Sequence, residues 1–207
     1  MEEKISKIRD WLGTGSINLF GLPMSGKDTQ GIKLAETLNA KFLSSGMIIR
    51  AMEKEQAKNY TDSGALVPTN LFYEWVLPYF ERRDLFKFPL VLSSIGRWAG
   101  EEIQVMSIAA GAGHDIKAVI FLKISEEDAK QRFEAAKSLN DRGERADDKD
   151  PKVFETRLKE FREKTLPVLK HYQSLGLLIT IDGNQSREAV FNEIVEALYQ
   201  RTLEFPS

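Results

Sequence analysis

Residues 20–30 read Phe20-Gly21-Leu22-Pro23-Met24-Ser25-Gly26-Lys27-Asp28-Thr29-Gln30. The apolar run Ile17–Phe20 precedes this stretch, and an amphipathic helical pattern follows it. A strand, a glycine turn and a helix start, in that order, make an anion cradle. Consecutive backbone N–H groups and the positive helix end point at one place, and Lys27 adds a full charge. The usual occupant of such a loop is a nucleoside triphosphate. The strict pattern places a hydroxyl directly after the lysine; here Asp28 stands there and Thr29 comes one later.

Outward from the loop, five short apolar runs suit buried parallel strands: Ile17–Leu22, Lys41–Ser44, Leu90–Ile95, Ala118–Ile124 and Leu178–Ile181. Helical patterns separate them at Lys27–Leu38, Met47–Lys58, Asn70–Arg83, Trp98–Ala109, Glu126–Lys137, Lys152–Ser174 and Ser186–Leu203. Such alternation predicts an α/β fold, a doubly wound five-stranded parallel sheet with ligands at the carboxyl ends of its strands. Ser125 with Asp128 three residues on, and Asp150 before Pro151, read as helix caps. Pro167 is expected to kink the long helix. Phe72, Tyr73, Trp75, Tyr79 and Phe80 cluster at helical spacing, as core residues do.

The 207 residues are enough for one such domain with small inserts, and a net charge of −2 provides no basic field for nucleic acid. Cysteine is absent, which excludes disulfides and thiolate zinc sites. No apolar run approaches the ~20 residues that span a bilayer. The first residues place Ile5, Ile8, Trp11 and Leu12 on one helical face, without the apolar centre of a signal peptide. A cytoplasmic protein with a short helical lead-in is the simplest reading. The chain then divides into an extension, 1–16, and a phosphate-loop domain, 17–207. Its core is 17–44, 88–137 and 150–207, with an insert at 45–87 and a polar segment at 138–149 that suits a short lid.

From Asn18 to Leu198 the order of motifs resembles the adenylate kinase family of nucleoside monophosphate kinases. The loop Gly21–Gln30 is similar to the family's glycine-x-proline-glycine-x-glycine-lysine-glycine-threonine-glutamine, where the later threonine is the family's own. Leu43-Ser-Ser-Gly-Met-Ile-Ile-Arg50 resembles the serine-threonine-glycine-aspartate-x-x-arginine segment. Gly64-Ala-Leu-Val-Pro-Thr69 resembles the turn that holds the monophosphate's base and ribose. Ser93-Ser-Ile-Gly-Arg97 takes the place of aspartate-glycine-phenylalanine-proline-arginine. Arg132, Arg145-Ala-Asp-Asp148 and Arg157 match the arginine before the lid, the lid arginine with its two aspartates, and the arginine after it.

The resemblance implies transfer of a phosphoryl group from ATP to a nucleoside monophosphate, AMP first, with Mg2+ and no zinc, by a monomer without nucleic-acid or membrane partners. It implies ATP binding by Gly21, Pro23, Met24, Ser25, Gly26, Lys27, Asp28, Thr29 and Arg132. Monophosphate binding falls to Ser45, Gly46, Arg50, Gly64, Leu66, Val67, Arg97, Glu101, Arg145 and Arg157. Lys27, Arg97, Arg132, Arg145 and Arg157 would carry catalysis, and Thr29, with Asp28, Asp147 or Asp148, would serve the metal. Cations in that number suit a reaction that gathers many phosphate oxygens, and arginine's planar fork suits phosphate best.

The chain departs from the family pattern at Met24 and Asp28, which replace loop glycines, and at Met47 and Ser93, which replace aspartates near the metal. A methionine at residue 24 is expected only where the backbone avoids the left-handed angles that glycine tolerates. Glu101 stands where adenine-reading members carry glutamine; a carboxylate only accepts, which suits guanine's N–H edge. Two alternatives therefore stand beside AMP phosphorylation: another monophosphate such as GMP, and a nucleotide-binding protein of the same fold with impaired catalysis.

Overall fold

The computed structural model describes residues 1–56, 59–139 and 150–205, the side chains of 137–139 excepted. Five strands form one sheet: β1 (Ser16–Gly21), β2 (Lys41–Ser44), β3 (Leu90–Ser93), β4 (Ile116–Lys123) and β5 (Leu178–Asp182). Their order is β2-β3-β1-β4-β5, and every neighbouring pair is parallel. All of β1 is buried, as expected of a central strand covered on both faces. Alternate residues feed two cores. Ile17 and Leu19 join one with Leu34, Val91, Ile120 and Ile194; Phe20 joins the other with Leu92, Val119, Leu169 and Tyr172.

The first core lies under α1 (Glu2–Leu12), α2 (Lys27–Leu38) and α9 (Arg187–Glu204). The periodic face of α1 settles there: Ile8, Trp11 and Leu12 are buried and Ile5 packs beside them, while Lys117 Nζ donates to the Trp11 carbonyl at 2.6 Å. The second core is covered by α3 (Ser45–Gln56), α4 (Thr69–Trp75), α5 (Glu101–Gly111), α6 (Glu126–Leu139), α7 (Pro151–Glu160) and α8 (Leu166–Ser174). Both predicted caps form. Asp128 N–H donates to Ser125 Oγ at 3.0 Å, and Lys152 N–H to Asp150 Oδ1 at 2.8 Å.

Three elements differ from expectation. The helix predicted over 70–83 is two pieces, α4 and a 3-10 turn at Leu77–Glu81, because Pro78 has no N–H to continue an α-helix. The helix predicted from Trp98 starts at Glu101, after Gly100 at φ 97°. The long helix is interrupted not at Pro167 but just before it, by a π-turn at Phe161–Thr165 that joins α7 to α8. Pro167 cannot donate to the carbonyl four residues back, and the wider turn accommodates that loss. Most of the expected lid, with Arg145, Asp147 and Asp148, lies outside the described residues.

Candidate functional site

The chain leaves β1 at the centre of the sheet and passes through the glycine loop into α2, whose N-cap is Gly26 at φ 87°. A Cβ at Gly21 would run into Ser25 Oγ and come within 3.0 Å of the Leu122 carbonyl, so only glycine lets the loop fold back here. Clefts open on both sides of this loop, outside the carboxyl ends of the strands.

The first cleft brings Lys27 together with Gly21, Pro23, Arg97 and Arg157, and with Gly64 and Leu66 of the insert. Arg97 lies in the turn between β3 and α5; Arg157 comes from α7. Burial, then the neighbouring charge of Arg157, push the Arg97 guanidinium down to about 10; Glu101, Asp28 and Glu160 pull it back up. It is still charged at neutral pH. Two like charges held together in a half-buried cleft are stabilised by an anion between them. Gly64 closes the cleft from the insert. It has φ 79°, and a Cβ there would lie 2.5 Å from the Val153 carbonyl of α7, so the insert touches α7 through bare backbone.

A smaller pocket adjoins this cleft and shares Arg97 and Leu66 with it. It is lined by Ser45, Ile49, Val67, Phe72, Trp98 and Glu101. Glu101 is 3% exposed and accepts from Arg97 N–H at 2.9 Å, Trp98 N–H at 3.1 Å and Thr69 Oγ1 at 2.8 Å. Burial raises its pKa, and these hydrogen bonds work against the rise. The carboxylate thus ties the Arg97 turn to the first residue of α4. Arg50 folds back over Gly46 instead of lining these clefts; a Cβ at Gly46 would meet its Nη1 at 3.1 Å.

On the other side of the loop lies a wider cleft of about 290 Å³, with Met24, Ser25, Gly26 and Thr29 on one wall and Arg132, Gly183, Gln185 and Arg187 on the other. Arg132 braces the two walls. It donates to the Met24 carbonyl at 3.3 Å, to the Gly183 carbonyl at 2.7 Å and to Asn184 Oδ1 at 3.4 Å. Gln30 adds a second brace, donating to the Arg187 carbonyl at 2.8 Å.

A family model described as adenylate kinase matches residues 19–177. Curated relatives agree. The chain is 34% identical to adenylate kinase 1 of Synechocystis over 82% of this chain and 89% of that protein. It is 36% identical to the adenylate kinase of Bartonella bacilliformis over 81% and 91%, and 33% identical to that of Mycobacterium tuberculosis over 87% and 97%. The chain belongs to the adenylate kinase family.

Within that adenylate kinase framework one expectation fails. Met24 does adopt the left-handed region, at φ 69°. The loop must turn there to aim its amides. The cost is offset because the Met24 side chain is buried in the core that also holds Leu22, Ile124 and Phe133, and its carbonyl is held by Arg132. Ser94 has φ 53° and also lines the first cleft, so both non-glycine residues with left-handed backbone beside the loop border a cleft. Thr29 faces the wider cleft, whereas Asp28 turns toward β3 and accepts from Ser93 Oγ. Met47 is exposed.

Sequence reasoning missed Glu160 and Thr165 in this adenylate kinase site. Glu160 lines the first cleft and accepts from Leu66 N–H at 3.1 Å and Lys164 Nζ at 2.6 Å. Thr165 Oγ1 donates to the Arg97 carbonyl at 3.3 Å. Glu160 lies three residues after Arg157, the spacing of neighbours on one helical face, and that spacing was the available signal.

Proposed function

We propose that this protein catalyses reversible, Mg2+-dependent phosphoryl transfer from ATP to AMP, giving two ADP. The observation that carries this reading is the convergence of Lys27, Arg97 and Arg157 on one cleft between the phosphate loop and the Gly64–Leu66 turn. Family membership supports the same substrates, since the relatives named above are adenylate kinases.

The phosphate loop and Lys27 hold the donor phosphates; the wider cleft beside Arg132 takes the rest of ATP. Arg97 grips the acceptor phosphate, and Arg157 stabilises the group in transit. The transferring phosphoryl group is loosely bonded at the transition state, so placement and positive charge supply most of the rate. The acceptor is already an anion, so no general base is needed and transfer is direct and in line. Ser45, Val67 and Glu101 surround the acceptor base, with Thr69 and the Arg97 turn fixing Glu101 in place. Gly46 and Arg50 act beside them through α3. Closing the insert, 45–87, and the lid, 138–149, excludes water that would compete as acceptor.

Magnesium suits the donor set, which among the described residues beside the loop offers the Thr29 hydroxyl and the Asp28 carboxylate. Mg2+ takes oxygen ligands, keeps several waters and needs few carboxylates. When bound, it neutralises charge on the donor phosphates. Among the described residues no helix is long and apolar enough to cross a membrane, and the reading extends to a cytoplasmic monomer that handles nucleotides alone.

A coupled assay with ATP, Mg2+ and, in turn, AMP, GMP, CMP and UMP tests this directly. ADP formation with a clear AMP preference is expected. A preference for GMP would assign Glu101 to guanine, and no turnover with any acceptor would overturn the enzyme reading.

A further inference from the structure

Asp28 follows Lys27 in the first turn of α2, so it brings a negative charge beside a cradle built for anions. Unaccompanied, that charge repels the phosphates the loop is shaped to hold. The structure shows where it goes. Asp28 Oδ1 accepts a hydrogen bond of 2.5 Å from Ser93 Oγ, the last residue of β3, which is 1% exposed. The carboxylate also lies near enough to Arg97 to favour that guanidinium's charged form. In phosphate-loop enzymes at large, the nucleotide's Mg2+ is held by a hydroxyl of the loop and by an acid from elsewhere in the sheet. Here the tip of β3, the strand beside β1, carries a hydroxyl, and a carboxylate meets it from the helix side.

We propose that Asp28, oriented by Ser93, is the carboxylate that holds the water shell of nucleotide-bound Mg2+, so that the loop helix supplies the acid and the strand tip only aims it. The assignment rests on the ATP reading above. It explains a negative charge at the one place in the loop where it would otherwise oppose binding. It also carries a sign: without metal Asp28 works against nucleotide, and with metal it works for it.

Calorimetric titration of the full chain with a β,γ-imido analogue of ATP, with and without Mg2+, measures that sign without turnover. Asp28→Asn keeps the size and an acceptor for Ser93 but removes the charge. The factor by which Mg2+ tightens binding is expected to fall about tenfold, the usual effect of losing a group that orients a metal's ligands. Metal-free affinity is expected to rise. The reciprocal pair, Asp28→Gly with Ser93→Asp, returns the charge from the strand side and is expected to restore the Mg2+ enhancement. Asp28→Asn carries the test alone if the pair does not fold. Equal changes in the metal-free and metal-bound affinities of Asp28→Asn would overturn the proposal, as would a folded reciprocal pair that stays insensitive to Mg2+. A wild-type protein that binds the analogue equally well with and without Mg2+ would overturn this assignment alone; one that binds it under neither condition would overturn the ATP reading as well.

Discussion

The two sides of the phosphate loop are built on different principles. The wider cleft takes one wall from the consecutive residues Met24–Gly26 with Thr29 and Gln30, and the other from Gly183–Arg187 beyond β5. Gly26 and Gly183 can offer it only main chain, and two braces, Arg132 and Gln30, donate to backbone carbonyls of its walls. The first cleft instead collects side-chain charge from distant stretches: Lys27 from α2, Arg97 from the turn after β3, Arg157 and Glu160 from α7, with Leu66 from the insert. A wall of main chain tolerates exchange of side chains, provided the turn survives. A site of convergent charge does not, because the Arg97 guanidinium is already raised in energy by burial and by its neighbour Arg157.

That contrast can be broken by substitution. The largest effect is expected from Lys27→Ala, which removes a full charge from the first cleft. Turnover should fall by about 10²–10³-fold, as when one preorganised transition-state donor is lost, with the melting temperature little changed. A fall of less than tenfold would mean that the main chain does most of the work on both sides. Arg97→Lys comes next. It keeps charge but loses the planar fork, and kcat/KM for AMP should drop roughly 10–100-fold, equivalent to one charged hydrogen bond. An equal loss in KM for ATP would show that the two sides are not separable.

Glu101 gives a smaller, pH-dependent signal. Burial raises its pKa, so the folded protein holds that proton more tightly than the unfolded chain. Its contribution to stability is therefore greatest below the unfolded pKa and is lost as pH rises through the folded one. Glu101→Gln abolishes this slope. Melting temperatures across acid to neutral buffers should show the variant gaining on wild type as pH rises, and a constant difference would refute the assignment. The smallest effect is expected at Met24→Gly. Relief of the left-handed backbone, about 1–2 kcal/mol, nearly cancels the lost burial of the side chain, so unfolding in urea should shift by no more than about 1 kcal/mol.

The same contrast separates what the sequence announces from what it conceals. The loop is contiguous, and its glycines, lysine and flanking apolar run are legible in one line. The five strands are legible for the same reason, since a strand buried on both faces is a continuous apolar run. Arg97 and Arg157 became legible only through their place in a series of motifs. Glu160 was not legible, because a glutamate on a helix is ordinarily solvated and only the docking of Leu66 against it reveals its partner. Pro78 was a local signal, overlooked among the aromatic residues around it. The angle at Met24 could not be read at all: it depends on a buried pocket and on Arg132, which lies far along the chain.

The π-turn at Phe161–Thr165 has a mechanical consequence. A helix is a screw, and one extra residue in a turn slips its phase by about 100°. The slip lets one continuous rod serve two neighbours: α7 points Arg157 and Glu160 into the cleft, while α8 points Val168, Leu169 and Tyr172 into the core. Both Phe161 and Thr165, at the ends of the slip, are buried. Deleting one residue within it would let the rod run as a plain α-helix. The core half would stay seated, and the charged half would be screwed out of register, leaving a folded protein with two of its cleft-lining residues aimed elsewhere.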